Sequence, residues 1–393
     1  MAFMTKVGEE ELTRRTFLIG SATLLAARWG GSANRGATVF AYVGCFTTAQ
    51  RYARGEGIHV YRVDLESGKW DHVQLVGDLV NPSFLAMGRD QRFLYSVHGD
   101  EGYATSFSIN RESGKLAFLN RADTGGRNGV HLAIDPSGRF VVVANYASGS
   151  VSVMPVREDG ALADAKQVVP LPGQPGPNRV EQASSHPHHV VFDPSGRFVV
   201  VPDKGLDRIF VFRFDAASGT LTPTAQGSSV ARSGSGPRHA CFHPTLPVLW
   251  VINEINSSVA TYYWEAERGH MRPMQVLPAI PSDYTGENTG AEITVSANGR
   301  FVYCSNRGHD SVGIFAAHAD TGLLTSAGWE PSKGRTPRFI CFDPSRRFLL
   351  AANEQSDTVM TWRADPKTGR LSPSGEAVRN PSPVTIAFAQ WDA

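Results

Sequence analysis

Histidines, arginines and carboxylates set against apolar runs carry whatever chemistry this chain performs. His131, His186, His188, Arg238, His239, Glu292 and Arg338 stand where such runs begin; His98, Asp203, Lys204, Glu254, Arg307 and Glu354 stand where others end. A guanidinium stays charged and offers a planar fork suited to carboxylate, phosphate or a developing oxyanion. An imidazole titrates near neutrality and is the commonest general base. If the fold gathers these groups, desolvating them is expensive unless they pair or meet a ligand, so the cluster is the leading site candidate.

Competing chemistries lack their signatures. No Gly-x-Ser-x-Gly elbow occurs, and Gly234-Ser235-Gly236 has no Walker or dinucleotide pattern around it. Four cysteines in 393 residues, with no Cys-x-x-Cys, make neither a disulfide framework nor a zinc ribbon. Cys241, Cys304 and Cys341 lie in apolar runs and read as small core residues. A metal on His186, His188 and His189 is disfavoured, because neighbours on a strand point to opposite faces and at most two of the three could share an ion. The expectation is no metal and no other cofactor. Lys and Arg total 38 against 37 Asp and Glu, with no basic run, so the broad footprint of a nucleic-acid binder is missing.

What positions the candidates is a repeat. Asp135-Pro136-Ser137-Gly138-Arg139-Phe140 returns at Asp193 to Phe198, Ser296 to Phe301 and Asp343 to Phe348, with weaker copies at Gly88 to Phe93 and His243 to Val248. Equivalent positions Phe93, Phe140, Phe198, Val248, Phe301 and Phe348 are spaced 47, 58, 50, 53 and 47 residues apart, the size of one propeller blade. Each unit reads as four strands, here a to d. The third alternates best, with Ile209, Val211 and Arg213 on one face and Phe210, Phe212 and Phe214 on the other. Turns between c and d end on Gly68, Gly114, Gly160, Gly219, Gly269, Gly322 and Gly369, which makes seven blades. The chain enters at a b strand, Thr38 to Gly44, and ends with a spare a strand, Pro383 to Ala389. The reading is therefore all-β: a seven-bladed propeller of four-stranded blades, residues 38–393, with the N- and C-terminal strands sharing one blade and no free sheet edge. In such a meander, a-strand starts and b-strand ends meet on one rim, which converges the candidates on one mouth of the central channel.

Several segments resemble a known family: Gln182-Ala183-Ser184-Ser185-His186-Pro187-His188, Val201 to Arg208, Gly236-Pro237-Arg238-His239, Asn253-Glu254-Ile255, Ala291-Glu292-Ile293 and Ser305 to Ser311. They look like the seven-bladed propeller lactonases, which include propeller-type 6-phosphogluconolactonase and carboxy-cis,cis-muconate cyclase. The resemblance implies a lactone hydrolase of carbohydrate metabolism, needing no cofactor, and places the family's catalytic group on His188, Arg238, Glu254 and Arg307. One departure is Glu181-Gln182 where the family often has Arg-Gln; Pro170 to Ser185 reads as a lid-like insertion. The two arginines would bind anionic groups and His188 would be the base, with Glu254 orienting it or a water; the reverse, Glu254 as base and His188 as proton donor, stays open. His186, Asp203, Glu292 and Arg338 are expected to contact substrate or support the group. The alternatives are a muconate-type lactonising cyclase at the same site and a non-catalytic periplasmic binding propeller.

At the N-terminus, Thr13-Arg14-Arg15-Thr16-Phe17-Leu18-Ile19 precedes an apolar stretch to Ala27 and the small residues Gly30 to Ala33. This resembles a twin-arginine export signal, residues 1–33. The apolar run is too short to span a bilayer. A periplasmic or secreted monomer acting on a small-molecule lactone is expected, with no membrane span in the mature protein.

Overall fold

The computed structural model describes residues 38–375 and 377–391; the twin-arginine segment lies outside them. Seven antiparallel sheets succeed one another along the chain, and helix among the described residues is confined to two single 3-10 turns, Ala49–Arg51 and Glu354–Ser356. The innermost strands are Pro82–Met87, Gly129–Ile134, Val191–Phe192, Pro237–Phe242, Thr289–Val295, Pro337–Phe342 and Pro383–Trp391. Pro383–Trp391 pairs with Thr38–Cys45 from the other end of the chain, from Thr38 opposite Trp391 to Val43 opposite Ile386. The ring is thus closed within one blade, as the spare strand required. In the last blade the outer strand is two pieces, Leu371–Pro373 and Val378–Arg379.

The repeated motif is a self-satisfied turn. The Asp135 carboxylate accepts from the backbone N–H of Ser137 (2.9 Å), Arg139 (2.8 Å) and Phe140 (2.8 Å). Asp193 and Asp343 accept from Phe198 and Phe348 in the same way. A carboxylate bonded to three amides fixes the a-to-b hairpin register without help from the rest of the blade.

Blades are joined by apolar contacts that alternate with the strand period. Ile209 and Val211 pack towards the fifth blade with Leu249, Val251 and Trp264, while Phe210, Phe212 and Phe214 pack back on the third with Val142, Val151 and Val153. Seven such clusters fill the seven junctions. The c-to-d glycine of one blade lies against the first b-strand aromatic of the blade before it: a Cβ on Gly219 would sit 2.2 Å from the Phe140 ring, and Gly114, Gly160, Gly269 and Gly369 meet Phe40, Phe93, Phe198 and Phe301 likewise. Two features of the repeat therefore interlock.

Inner strands carry one more regularity, invisible to a period-2 reading. At the start of each a–b ladder the register slips by one residue: between Pro82 and Phe84, Gly129 and His131, Pro237 and His239, Gly290 and Ile293, and Pro337 and Phe339. The fourth blade does the same, since Pro187 pairs with Asp203 but Val191 with Val200. A β-bulge adds an unpaired residue and re-aims its side chain.

Candidate active site

The bulges build the wall of a narrow pocket that encloses about 380 Å³ of empty space, its open mouth included. Every innermost strand or its lead-in contributes: Ser83 and Phe84, Val130, His188, Arg238 and His239, Glu292, Arg338 and Phe339, and Val384. Consecutive residues such as Arg238 and His239 both face inward because the bulge cancels the alternation between them. The loop after the first b strand adds Phe46 and Arg51. Phe46 carries the guanidiniums of Arg51 and Arg338 at 4.5 and 4.9 Å from its ring centroid, which holds Arg338 over the mouth.

Glu254 is the electrostatic hub. Its Oε1 accepts from Lys204 Nζ at 2.9 Å, and its Oε2 lies 2.9 Å from Arg238 Nε and 3.3 Å from Arg307 Nη2. The Oε2 contacts are charge contacts without hydrogen-bond alignment, for both Oε2 and Arg238 Nε are sealed from solvent and unbonded among the described residues. Burial pushes the carboxyl up, but Arg307, Lys204 and Arg238 outweigh it and hold Glu254 well below the usual carboxylate range. A carboxylate so stabilised is a poor base. Arg238 is buried and also donates to the Ala291 carbonyl at 2.5 Å. Burial lowers the Lys204 ammonium, yet Glu254, Tyr146 and Glu181 raise it further, so it stays charged.

His188 is buried, with Nδ1 3.3 Å from His239 Nε2. Burial first, then Arg238, His239, Arg338 and Lys204, hold it far below the ordinary imidazole range. It is therefore a neutral ring at pH 7. Its orienting partner is His239, where the sequence suggested Glu254. His239 in turn has Nδ1 2.8 Å from Glu292 Oε1. Burial raises the Glu292 carboxyl to about 7, against His189 and Arg238.

Of the residues singled out in the sequence, His188, Arg238, His239, Glu292 and Arg338 line the cavity. Glu254 and Arg307 sit behind this wall, tied to Arg238 through the carboxylate. Two others, Asp203 and His186, lie off the cavity wall, in supporting positions. Asp203 is fully buried and accepts from Ser185 Oγ (2.5 Å) and the amides of His186 (2.9 Å), Gly205 (2.9 Å) and Leu206 (3.0 Å); it has become a turn anchor with nothing left for a substrate. His186 stacks on Tyr146, ring centroids 4.3 Å apart, and lies off the cavity wall. His188 and His189 also fail to diverge, both rings lying against His239 at 5.2 and 4.4 Å, because the bulge falls there instead of regular strand. The insertion is pinned: Gly176 donates to the Gly205 carbonyl (2.9 Å), Gln182 Nε2 to the Lys204 carbonyl (2.9 Å), and Glu181 pairs with Lys204 Nζ (2.5 Å). Sequence reasoning missed Phe46 and Arg51, which lie in the loop and the short 3-10 turn after the first b strand, and the role of Lys204, although it stood at a b-strand end. Among the described residues no group of three His, Cys, Asp or Glu is arranged to hold a metal ion, and no helix is long and apolar enough to cross a membrane.

Comparison with known proteins gives a consistent picture. Residues 40–388 match the family described as lactonase, 7-bladed beta-propeller. The chain is 34% identical to a 6-phosphogluconolactonase of Bacillus subtilis, over 88% of this chain and 97% of that one. It is 33% identical to a 6-phosphogluconolactonase of Formosa agariphila, over 84% and 94%. Among solved structures, the periplasmic gluconolactonase PpgL of Pseudomonas aeruginosa superposes with a TM-score of 0.82 at 30% identity, covering 90% of this chain and 99% of that one.

Proposed function

The chain belongs to the seven-bladed β-propeller lactonase family, and from that premise we propose that it is a lactone hydrolase of the 6-phosphogluconolactonase type, using His188 as general base. The observation that carries the reading is an internally bonded imidazole facing the cavity beside the guanidiniums of Arg238 and Arg338. His188 Nε2 takes a proton from water, and the resulting hydroxide attacks the lactone carbonyl. Arg238, held in place by Glu254 and the Ala291 carbonyl, stabilises the oxyanion, the kind of fixed charge that contributes most in a water-poor site. The ring C–O bond then breaks and the leaving oxygen takes a proton from His188. Arg338 and Arg51, which line the cavity, supply positive charge for an anionic substituent such as carboxylate or phosphate, and Arg307, behind the wall against Glu254, adds to that field.

Export through the twin-arginine route, to the periplasm or beyond, is part of the proposal. It is supported by Arg14-Arg15 and the apolar run after them, and by the likeness to a periplasmic gluconolactonase. An exported enzyme would meet unphosphorylated sugar lactones more readily than phosphorylated ones. The test is titration of acid release in a pH-stat from 6-phosphoglucono-δ-lactone and from glucono-δ-lactone, with and without chelator. Hydrolysis above background that survives chelation is expected, and the ratio of the two rates names the substrate class. Background rates on both would overturn the reading.

A further inference from the structure

Three buried side chains from three adjacent blades form an unbroken line. Glu292 Oε1 lies 2.8 Å from His239 Nδ1, and His239 Nε2 lies 3.3 Å from His188 Nδ1. All three are less than a tenth exposed. Phe84 and His131 wall the line, their rings 3.9 Å apart, with Phe339 and His189 completing the enclosure. Among the described residues nothing bonds His188 Nε2, the one nitrogen of the line left for the cavity. The His239 ring borders the cavity, but both its nitrogens are engaged within the line, so it offers a substrate no free nitrogen and acts on one through His188.

In this geometry the tautomers are not independent. If Glu292 is ionised, His239 must carry its proton on Nδ1, its bare Nε2 must accept from His188 Nδ1–H, and His188 Nε2 is a bare lone pair. If Glu292 is protonated and donates to His239 Nδ1, every bond reverses and His188 Nε2 carries a proton. We infer that Glu292, His239 and His188 form a proton relay, in which the proton His188 takes from water is delivered to Glu292 and later returned to the leaving ring oxygen. The transfers balance: water gives a proton to His188 Nε2, His188 gives its Nδ1 proton to His239 Nε2, and His239 gives its Nδ1 proton to Glu292. Both imidazoles end neutral, and the only charge consumed is that of the carboxylate. Ring opening runs the line backwards.

The relay rests on His188 being the base, and it supplies what that role lacks in this setting. Arg238, beside His239 on its own strand, and Arg338, Lys204 and Arg307 from neighbouring elements face the line; besides Glu292 the nearby carboxylates are Glu254 and Glu354, the latter paired with Arg338, and His131, His189, Cys241 and Cys341 lie around it. An isolated imidazolium at His188 would be opposed by burial and by those cations. A base that passes its proton on avoids becoming one. The raised Glu292 carboxyl is a fitting acceptor, being the member of the line most ready to hold a proton near neutrality. Glu292 and His239 are positioning residues here, since they act through His188.

The deciding measurement is 15N NMR of the histidine-labelled protein across pH 5–9, with His188 and His239 assigned from His188→Gln and His239→Gln. Both rings should switch together, from Nδ1–H above the transition to Nε2–H below it. In Glu292→Gln, where the amide oxygen still accepts but cannot take a proton, they should stay Nδ1–H. Kinetics give the second readout. On an active lactone, kcat/KM of the wild type should rise through a limb near pH 7, and Glu292→Gln and His239→Gln should both lose about tenfold or more together with that limb. A limb kept in His239→Gln but lost in Glu292→Gln would put Glu292 directly on the water and overturn the relay. Rings that titrate separately, or an unaltered switch in Glu292→Gln, would overturn it too. The NMR needs no substrate, so failure of every lactone to react would remove the proposed function without being mistaken for failure of the relay.

Discussion

At the turn end of the blades Asp135, Asp193 and Asp343 make nearly the same bonds to nearly the same amides, whereas at the cavity end the seven inner strands and their lead-ins present Ser83, Val130, His188, Arg238, Glu292, Arg338 and Val384. One end is bound by its own backbone and tolerates repetition. The other is built on bulged residues that the ladder does not use, so their identity is free to vary with chemistry. This difference teaches where to expect function and where stability: substitutions at the bulges should remove activity with modest effects on folding, and those at the turns should do the reverse.

The largest effect expected at the cavity end is that of His188→Gln, with kcat/KM falling about a thousandfold, within the span for a lost general base. Steady-state rates on the best lactone, with thermal melting as the folding control, check it; a variant within tenfold of wild type would remove His188 from the chemistry. Glu254→Gln should follow at about a hundredfold, because Arg238 loses its anchor. It breaks the comparison in an informative way: three cations lose a buried partner, so stability should also fall by about 3 kcal/mol. Denaturant titration would detect this, and an unchanged midpoint would deny Glu254 its role as hub.

Most of the turn end was legible in the sequence, because side-chain-to-backbone turns leave a fixed local signature. The blade count, the closing strand and the facing of Ile209 against Phe210 all followed from period and spacing. Less of the cavity was legible. A bulge is a relation between two strands, so period-2 reasoning placed His188 and His189 on opposite faces and could not pair Arg238 with His239 on one wall. Asp203 looked like a free rim carboxylate because its four donors, chiefly backbone amides, are supplied by the folded turn. Lys204 stood at the right position, but only the contact with Glu254 across 50 residues gives it meaning.

Acid should unfold the protein from the cavity side. His131, His188, His189 and His239 are all held well below the ordinary imidazole range, burial being the first cause in each. Between the lowered native values and about 6.5, the unfolded chain binds protons that the native state refuses. Stability should therefore rise with pH up to 6.5 and fall away below it. Glu292 opposes this: raised to about 7, it keeps in the native state a proton that the unfolded chain releases, so its contribution is lost as pH climbs from 4.5 to about 7. His59, His98 and His243, also lowered by burial, add to the four, and Asp203, raised by burial, adds to Glu292; the balance predicts a higher Tm at pH 6.5 than at pH 5, and a steeper rise in Glu292→Gln. A flat or falling Tm would mean that the cluster does not sit neutral.

At the turn end, Asp135→Ala should cost about 1–3 kcal/mol, as amides lose their acceptor, with kcat/KM unchanged. The finest test lies within that end, where the junctions differ. Gly219 and Gly68 hold similar left-handed φ values, +62° and +75°, so alanine should cost each about 1–2 kcal/mol from the backbone alone. A Cβ at Gly219 would also enter the Phe140 ring, whereas at Gly68 nothing lies within 4 Å. Gly219→Ala should therefore destabilise by about a further 1–3 kcal/mol of overpacking, while Gly68→Ala stops at the backbone term. Equal losses would mean that the glycine-on-aromatic contact carries no part of the blade junction, and that the ring is held by its apolar clusters alone.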